Sequence, residues 1–155
     1  MPKIDIAGLP VHGTSNYPQE YRKVVEGRSR RRLGEAVGLT QFGVNLTRLE
    51  PGAASSLRHW HKSEDELVYM LEGELVLVED EGETPLKAGD AAGWKANSGS
   101  GHHLVNRSSR PAVFLEVGTR SPTDVVEYSE ADLRIEKDAS GVRRTRKSGE
   151  PYPKT

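Results

Sequence analysis

The sequence predicts an all-β fold. Three observations carry the prediction. Gly and Pro are plentiful, 16 and 9 of 155 residues, and suit short strands joined by tight turns. Between Thr40 and Arg120 the apolar residues fall in short runs broken by turn residues at roughly ten-residue intervals, the spacing of a sandwich, jelly roll or barrel. Nothing in that stretch needs a long helix.

Taken in order, residues 1–39 are weakly patterned and polar, with "GTSNYPQEYR" reading as loop and "EGRSRRRLGE" as a charged connector. They form an N-terminal arm. "TQFGVNLTRL" places Phe42, Val44 and Leu46 on one face at period two, and the Pro-Gly of "EPGA" ends that strand. "ELVYMLEGELVLVEDEGE" reads as two strands meeting around Gly73, apolar enough to be buried on both faces. "PLKAGDAAGW" gives a Gly-Asp turn and a short strand ending at Trp94, followed by the loop "KANSGSG". "HHLVN" and "AVFLEVGTR" supply two more strands, for six to eight strands across the core, residues 40–120. Residues 121–155 read as a C-terminal arm. Ser129 and Asp132 make a weak capping pattern there for one helical turn, and a polar tail follows. The whole chain, 1–155, reads as one domain.

Composition narrows the function classes. A formal net charge of -1 and a pI near 6.5 give no overall electrostatic reason to bind nucleic acid or a membrane surface, so a small-molecule substrate or a protein partner is expected. The absence of cysteine excludes disulfides, thiolate metal sites and a cysteine nucleophile. Any metal must be held by His, carboxylate and water. The start "MPKIDIAGLPVHG" lacks an apolar signal core and no run is long enough to span a bilayer, so the expectation is a cytoplasmic protein.

The chemistry gathers in "RHWHKSEDE", residues 58–66. His59 and His61 are two apart, and on a strand side chains at i and i+2 point the same way, so both imidazoles can converge on one ion. Glu66 has the opposite parity in a straight strand and joins them only if "KSED" bends. A carboxylate opening the apolar run "ELVYML" also needs a partner to offset its desolvation, which a cation supplies. Glu64 and Asp65 are read as water-facing parts of the bend, and Arg58 and Trp60 as pointing away from the ion. Downstream, His102 and His103 have opposite parities, so a regular strand turns only one of them inward; the residues alone leave both open.

These residues resemble the cupin superfamily. "PGAASSLRHWHKSEDELVYMLEG" is similar to its first motif, G-x5-H-x-H-x3-4-E-x6-G, through Gly52, His59, His61, Glu66 and Gly73, with one extra residue after Gly52. "GDAAGWKANSGSGHHLVN" is similar to its second, more loosely, through Gly89, His102 and Asn106, with Lys95 or Ala96 where the family usually has proline. The resemblance covers residues 40–120. It implies an antiparallel double-stranded β-helix, the jelly-roll barrel, with irregular arms, and one divalent metal (Fe, Mn, Zn, Ni or Co) held by His59, His61, Glu66 and His102. It also implies, for small single-domain members, a sugar-phosphate-isomerase-like activity.

Four protein ligands leave open positions on such an ion, which suits catalysis better than a closed structural site. Three readings follow: a metal-dependent isomerase or epimerase acting on a small polar substrate, a non-haem iron dioxygenase, and a small-molecule-binding or storage module without turnover. An isomerase needs a base, for which Glu79, Glu116 and Tyr69 are the candidates. Asn106, Trp94 and Arg48 are candidate substrate contacts, and Met70 and Phe114 candidate cavity walls. The arginines Arg28, Arg30, Arg31 and Arg32 suit either a phosphate or a solvated surface. Strand edges left bare by free arms predict a homodimer in which the arms pack across the interface.

Overall fold

The computed structural model describes residues 3–154 and contains twelve strands, one short 3-10 helix (Gln19–Val25) and one helical turn (Leu33–Ala36). In chain order the strands are β1 (Arg28–Arg32), β2 (Phe42–Leu49), β3 (His59–His61), β4 (Glu66–Glu72), β5 (Glu74–Glu79) and β6 (Gly82–Lys87). They continue as β7 (Ala91–Trp94), β8 (His102–Val105), β9 (Ala112–Thr119), β10 (Asp124–Tyr128), β11 (Arg134–Asp138) and β12 (Gly141–Thr145). All pairings are antiparallel, in two sheets of order β1-β2-β9-β4-β7 and β12-β11-β10-β3-β8-β5-β6. Together they make a jelly-roll barrel. No helix among the described residues is long and apolar enough to cross a membrane.

The main core fills one end of the barrel. Leu49, Met70, Leu75, Leu104 and Phe114 are at most 2% exposed there. Around it, β4 and β5 meet at Gly73 as expected but lie in different sheets, so the turn is a corner rather than a hairpin. Nor is β4 buried on both faces: Val68 and Met70 point in, while Leu67, Tyr69 and Leu71 are 41–47% exposed. In β2, likewise, Thr47 and Leu49 are buried whereas Phe42 is 42% exposed, so its apolar set lies outside and Gly43 and Asn45 line the cavity. A barrel that holds a polar site inverts the usual reading of a strand's apolar face.

Both arms differ from expectation. The "charged connector" is β1, an edge strand in register with β2 that alternates Arg28, Arg30 and Arg32 along one side. The C-terminal arm contains β10, β11 and β12, which extend the second sheet from β3; no helix forms at Ser129. The two arms then pack on one another. Tyr128, Leu133 and Tyr152 form a second core with Tyr17 and Tyr21, and the Tyr152 hydroxyl donates to the Asp132 carbonyl at 2.7 Å. Arms expected to reach a second copy are thus spent within their own chain.

Glycine in the first quoted motif has separable roles. Both Gly52 (φ 85°) and Gly73 (φ 74°) occupy the left-handed region. At Gly73 a Cβ would also lie 2.8 Å from the Pro111 carbonyl oxygen, whereas at Gly52 it meets nothing within 4 Å. Gly52→Ala should therefore cost about 1 kcal/mol of stability from backbone strain. Gly73→Ala should cost at least about 2 kcal/mol, since strain and overlap add. Denaturant unfolding of the two variants checks this ranking.

Candidate metal centre

β3 is short and extended, so His59 and His61 do share a side, and its neighbours align the rest. His59 lies opposite His102 of β8 on one edge and Tyr128 of β10 on the other. Glu66 comes from the facing sheet, opposite Trp94 of β7 and Gly118 of β9. The bend between them is tied down by backbone contacts: Lys62 N–H donates to Val125 O, Ser63 N–H to Asp124 Oδ1 and Asp65 N–H to Thr119 Oγ1, at 2.8–2.9 Å.

The four side chains converge. Glu66 Oε1 is 3.7 Å from His59 Nε2 and 3.5 Å from His61 Nε2, and Glu66 Oε2 is 2.8 Å from His102 Nε2. Ligands bonded to one ion at about 2.0–2.2 Å stand roughly 3–3.6 Å apart, so the spacing of His59 and His61 from Glu66 is close to that around a divalent cation of the mixed N/O type, with His102 against the other carboxylate oxygen. His59, His61 and Glu66 in particular could hold a metal ion.

The outer ring nitrogens show how the imidazoles are aimed. His59 Nδ1 lies 2.9 Å from the Leu57 carbonyl and His61 Nδ1 lies 2.6 Å from Asp124 Oδ2. With Nδ1–H donating to those acceptors, each Nε2 lone pair is left facing Glu66. His102 differs, because its buried Nδ1 has no hydrogen-bond partner among the described residues. Its ring is held instead by stacking on Trp94, 3.8 Å away and 1° from parallel, and Trp94 Nε1 donates to Glu79 Oε1 at 2.7 Å.

Electrostatics agree with a place for a cation. Burial pushes the Glu66 carboxyl up, but hydrogen bonds from His102, His59 and His61 hold it well below the usual carboxylate range. Burial opposes protonation of His61 too, yet Asp124 and Glu66 outweigh it and raise its pKa to about 10. His102 is lowered, chiefly by burial, against the pull of Glu66. Without an ion, then, a proton on His61 balances the buried carboxylates.

Other candidates fall on both sides of the wall. Glu116 faces the cavity, where both its oxygens accept from Arg30 Nε and Nη2 at 2.8 and 2.9 Å. Trp94 and Phe114 also line the cavity, and Met70 lies in the core. Tyr69 does not reach it, being 43% exposed on the outer face of β4. Glu79 stands behind Trp94 and so orients that ring rather than meeting substrate. Asn106 is fully buried and spends its amide on the Leu49 and Arg110 carbonyls, closing a turn. Arg48 is exposed and paired with Glu50. Glu64, expected in water, is instead tucked against Lys137 and the Ser121 N–H, with Oε2 3.7 Å from His61 Nδ1. Asp65 remains at the surface and Arg58 pairs outward with Asp80 and Glu130. His103 turns its Nδ1 to the Ser56 carbonyl, away from Glu66.

Three residues at the site escaped the sequence reading: Asp124, which stands behind His61, and the cavity residues Tyr17 and Tyr128. Asp124 lies 63 positions beyond His61 in a stretch read as C-terminal arm, although "DVVEY" has the β-branched run of a strand. The tyrosine rings meet edge-on at 5.8 Å, and Tyr128 also lies 5.8 Å from His59.

Two outcomes follow for the intact protein. Asp124→Asn should keep the fold and weaken zinc binding by about 10–100-fold in chelator competition, because His61 loses its anionic anchor. Since an ion displaces the His61 proton, zinc uptake at pH 8 should release about one proton, and affinity should rise about tenfold per pH unit up to the region of pH 10. Calorimetry in buffers of different ionisation enthalpy reads that proton directly.

Comparison with known proteins agrees with this architecture. Residues 45–118 match the family described as the Cupin domain. A crystal structure of a cupin-superfamily sugar phosphate isomerase from Silicibacter pomeroyi DSS-3 is 51% identical with a TM-score of 0.94, covering 98% of this chain and 97% of that one. A putative sugar phosphate isomerase from Acidithiobacillus ferrooxidans is 30% identical with a TM-score of 0.73, covering 78% and 77%. The polyketide cyclase RemF from Streptomyces resistomycificus, at 21% identity and a TM-score of 0.67 over 84% and 87%, shares the fold. None of the curated protein sequences matches the chain. With barrel, motifs and neighbours in agreement, the chain belongs to the cupin superfamily.

Proposed function

We propose that the protein is a metal-dependent enzyme of the isomerase type, acting on a small polar hydroxy-carbonyl substrate such as a sugar phosphate. The observation that carries this reading is the convergence of three imidazoles and one carboxylate on a cavity of about 450 Å³. That volume takes a small metabolite. The two relatives above 30% or at 30% identity, described as sugar phosphate isomerases, support the choice of substrate class.

A bound divalent ion supplies Lewis-acid polarisation of a substrate carbonyl there. The chain's own residues do the rest. Trp94 and Asp124 keep the His102 and His61 rings in place. Glu116 faces the cavity and takes the substrate proton on a carboxylate oxygen, its plane fixed by the two N–H groups of Arg30. Phe114 and Val68 close the inner end against water.

Elemental analysis and exchange kinetics test the reading together. Protein purified without a tag should carry close to one equivalent of transition metal, lost in His61→Ala and kept in Glu64→Gln. On candidate sugar phosphates in heavy water it should exchange a carbon-bound proton, at a rate lowered by at least about a hundredfold in Glu116→Gln with metal content unchanged. Bound iron with oxygen uptake would replace the isomerase by a dioxygenase, and saturable binding without exchange by a storage module.

Assembly belongs to the same proposal. Across β2, β9 and β4 the rows Val44–Val117–Leu67 and Leu46–Leu115–Tyr69 form an apolar sheet face, which supports a homodimer formed through this face. Sedimentation of the wild type at micromolar concentration should show a dimer, and Leu67→Glu should convert it to a monomer.

A further inference from the structure

The metal centre occupies one side of the cavity. Another part of its wall is built by β1, whose pairing with β2 turns Arg28, Arg30 and Arg32 towards the same space. These arginines are not equivalent. Arg30 is neutralised by the two-pronged contact with Glu116. Arg32 reaches Glu35 at the rim, 3.3 Å away, and its side chain is 45% exposed. Arg28 is only 9% exposed, and no carboxylate among the described residues pairs with it.

Arg28 makes one recorded hydrogen bond, from Nη1 to the Ser55 carbonyl at 2.6 Å. A guanidinium has five N–H donors in a planar fork, so most of its donor capacity is still free and faces the cavity. Burial lowers its pKa to about 10, as does the neighbouring Arg30 charge, which leaves it cationic at neutral pH. A buried, unpaired cation is unfavourable by itself and becomes favourable when an anion arrives. The same cavity is lined by Tyr17, Tyr128 and Ser55 and by the polar run Thr14, Ser15 and Asn16 from the arm. This wall suits an oxyanion.

We propose that Arg28 is the seat of an oxyanion group, a phosphate monoester or a carboxylate, carried by the substrate on a part of the molecule other than its reacting carbonyl. The assignment of that molecule as the substrate rests on the metal-dependent reading above; the anion seat itself does not. A single cavity joins the two features, so one small molecule can place its anion on Arg28 and its reacting carbonyl beside Glu66. Specificity then comes from a fixed charge at a fixed remove from the reacting atoms, a geometry that neutral sugars cannot exploit.

The test is calorimetric titration of the full-length protein with inorganic phosphate and, separately, acetate, in metal-stripped and zinc-loaded forms. Phosphate or acetate should bind the metal-stripped wild type, and Arg28→Met should weaken that binding at least about tenfold, the loss of a charge-assisted pair. Arg48→Met, on the outer face, should leave it unchanged. Preference for phosphate identifies a phosphate ester, and preference for acetate a carboxylate. Binding that requires zinc, or equal affinity in Arg28→Met, overturns the proposal. Failure to retain zinc with anion binding intact would instead overturn the metal reading alone. Should Arg28→Met not fold, Arg28→Lys keeps the charge and loses the fork; it should bind at least about threefold more weakly, and wild-type affinity would overturn the proposal.

Discussion

Glu66 brings a negative charge into a cavity wall, and the surrounding arrangement answers it. Three imidazoles face its oxygens at 2.8–3.7 Å, and each ring is braced from behind by a different device: a backbone carbonyl for His59, the Asp124 carboxylate for His61, a stacked indole for His102. Each brace draws on another part of the chain. Asp124 needs β10 beside β3, and Trp94 needs both β7 opposite Glu66 and Glu79 at the end of β5. The barrel's topology and the centre's electrostatics are in that sense one constraint, because a buried carboxylate is tolerated only where its partners are held in place.

The same demand explains why the strands are amphipathic in the unusual direction. A cavity that takes polar ligands must have Asn45, Glu116 and Arg30 inside, so the apolar residues interleaved with them, Val44, Leu46, Leu115 and Val117, are pushed to the outside of the five-stranded sheet. The ordinary dry core is confined to the closed end of the barrel, around Met70, Leu75 and Phe114. The arms complete the enclosure: β1 supplies the arginine wall, and Tyr17 meets Tyr128 across the gap between arm and extension.

Much of this was legible beforehand. The alternation and turn spacing of residues 40–120 predicted the strands, and eight of them, β2 to β9, lie there. The pair His59 and His61 with Glu66 past a bend could be read from parity and from the polarity of "KSED". What parity could not do was assign inside and outside. Tyr69 lies outward, Asn106 and Arg48, read as candidate substrate contacts, serve structure and surface, and Glu79, read as a candidate base, holds Trp94. Those errors share a cause: a period of two says which residues share a face, and only the neighbouring sheet says which face is enclosed.

By itself, the sequence determined the all-β class, the strand periodicity and the local geometry of the histidine pair, since these depend on residues a few positions apart. Only the tertiary structure decided that Asp124 orients His61, that Trp94 supports His102 and that Arg28 is a buried cation with no carboxylate partner among the described residues. Each of those is a contact or a burial between segments distant in the chain. Local propensity carries no information about which distant segments pair, and the field and desolvation that set a side chain's chemistry are sums over exactly those partners.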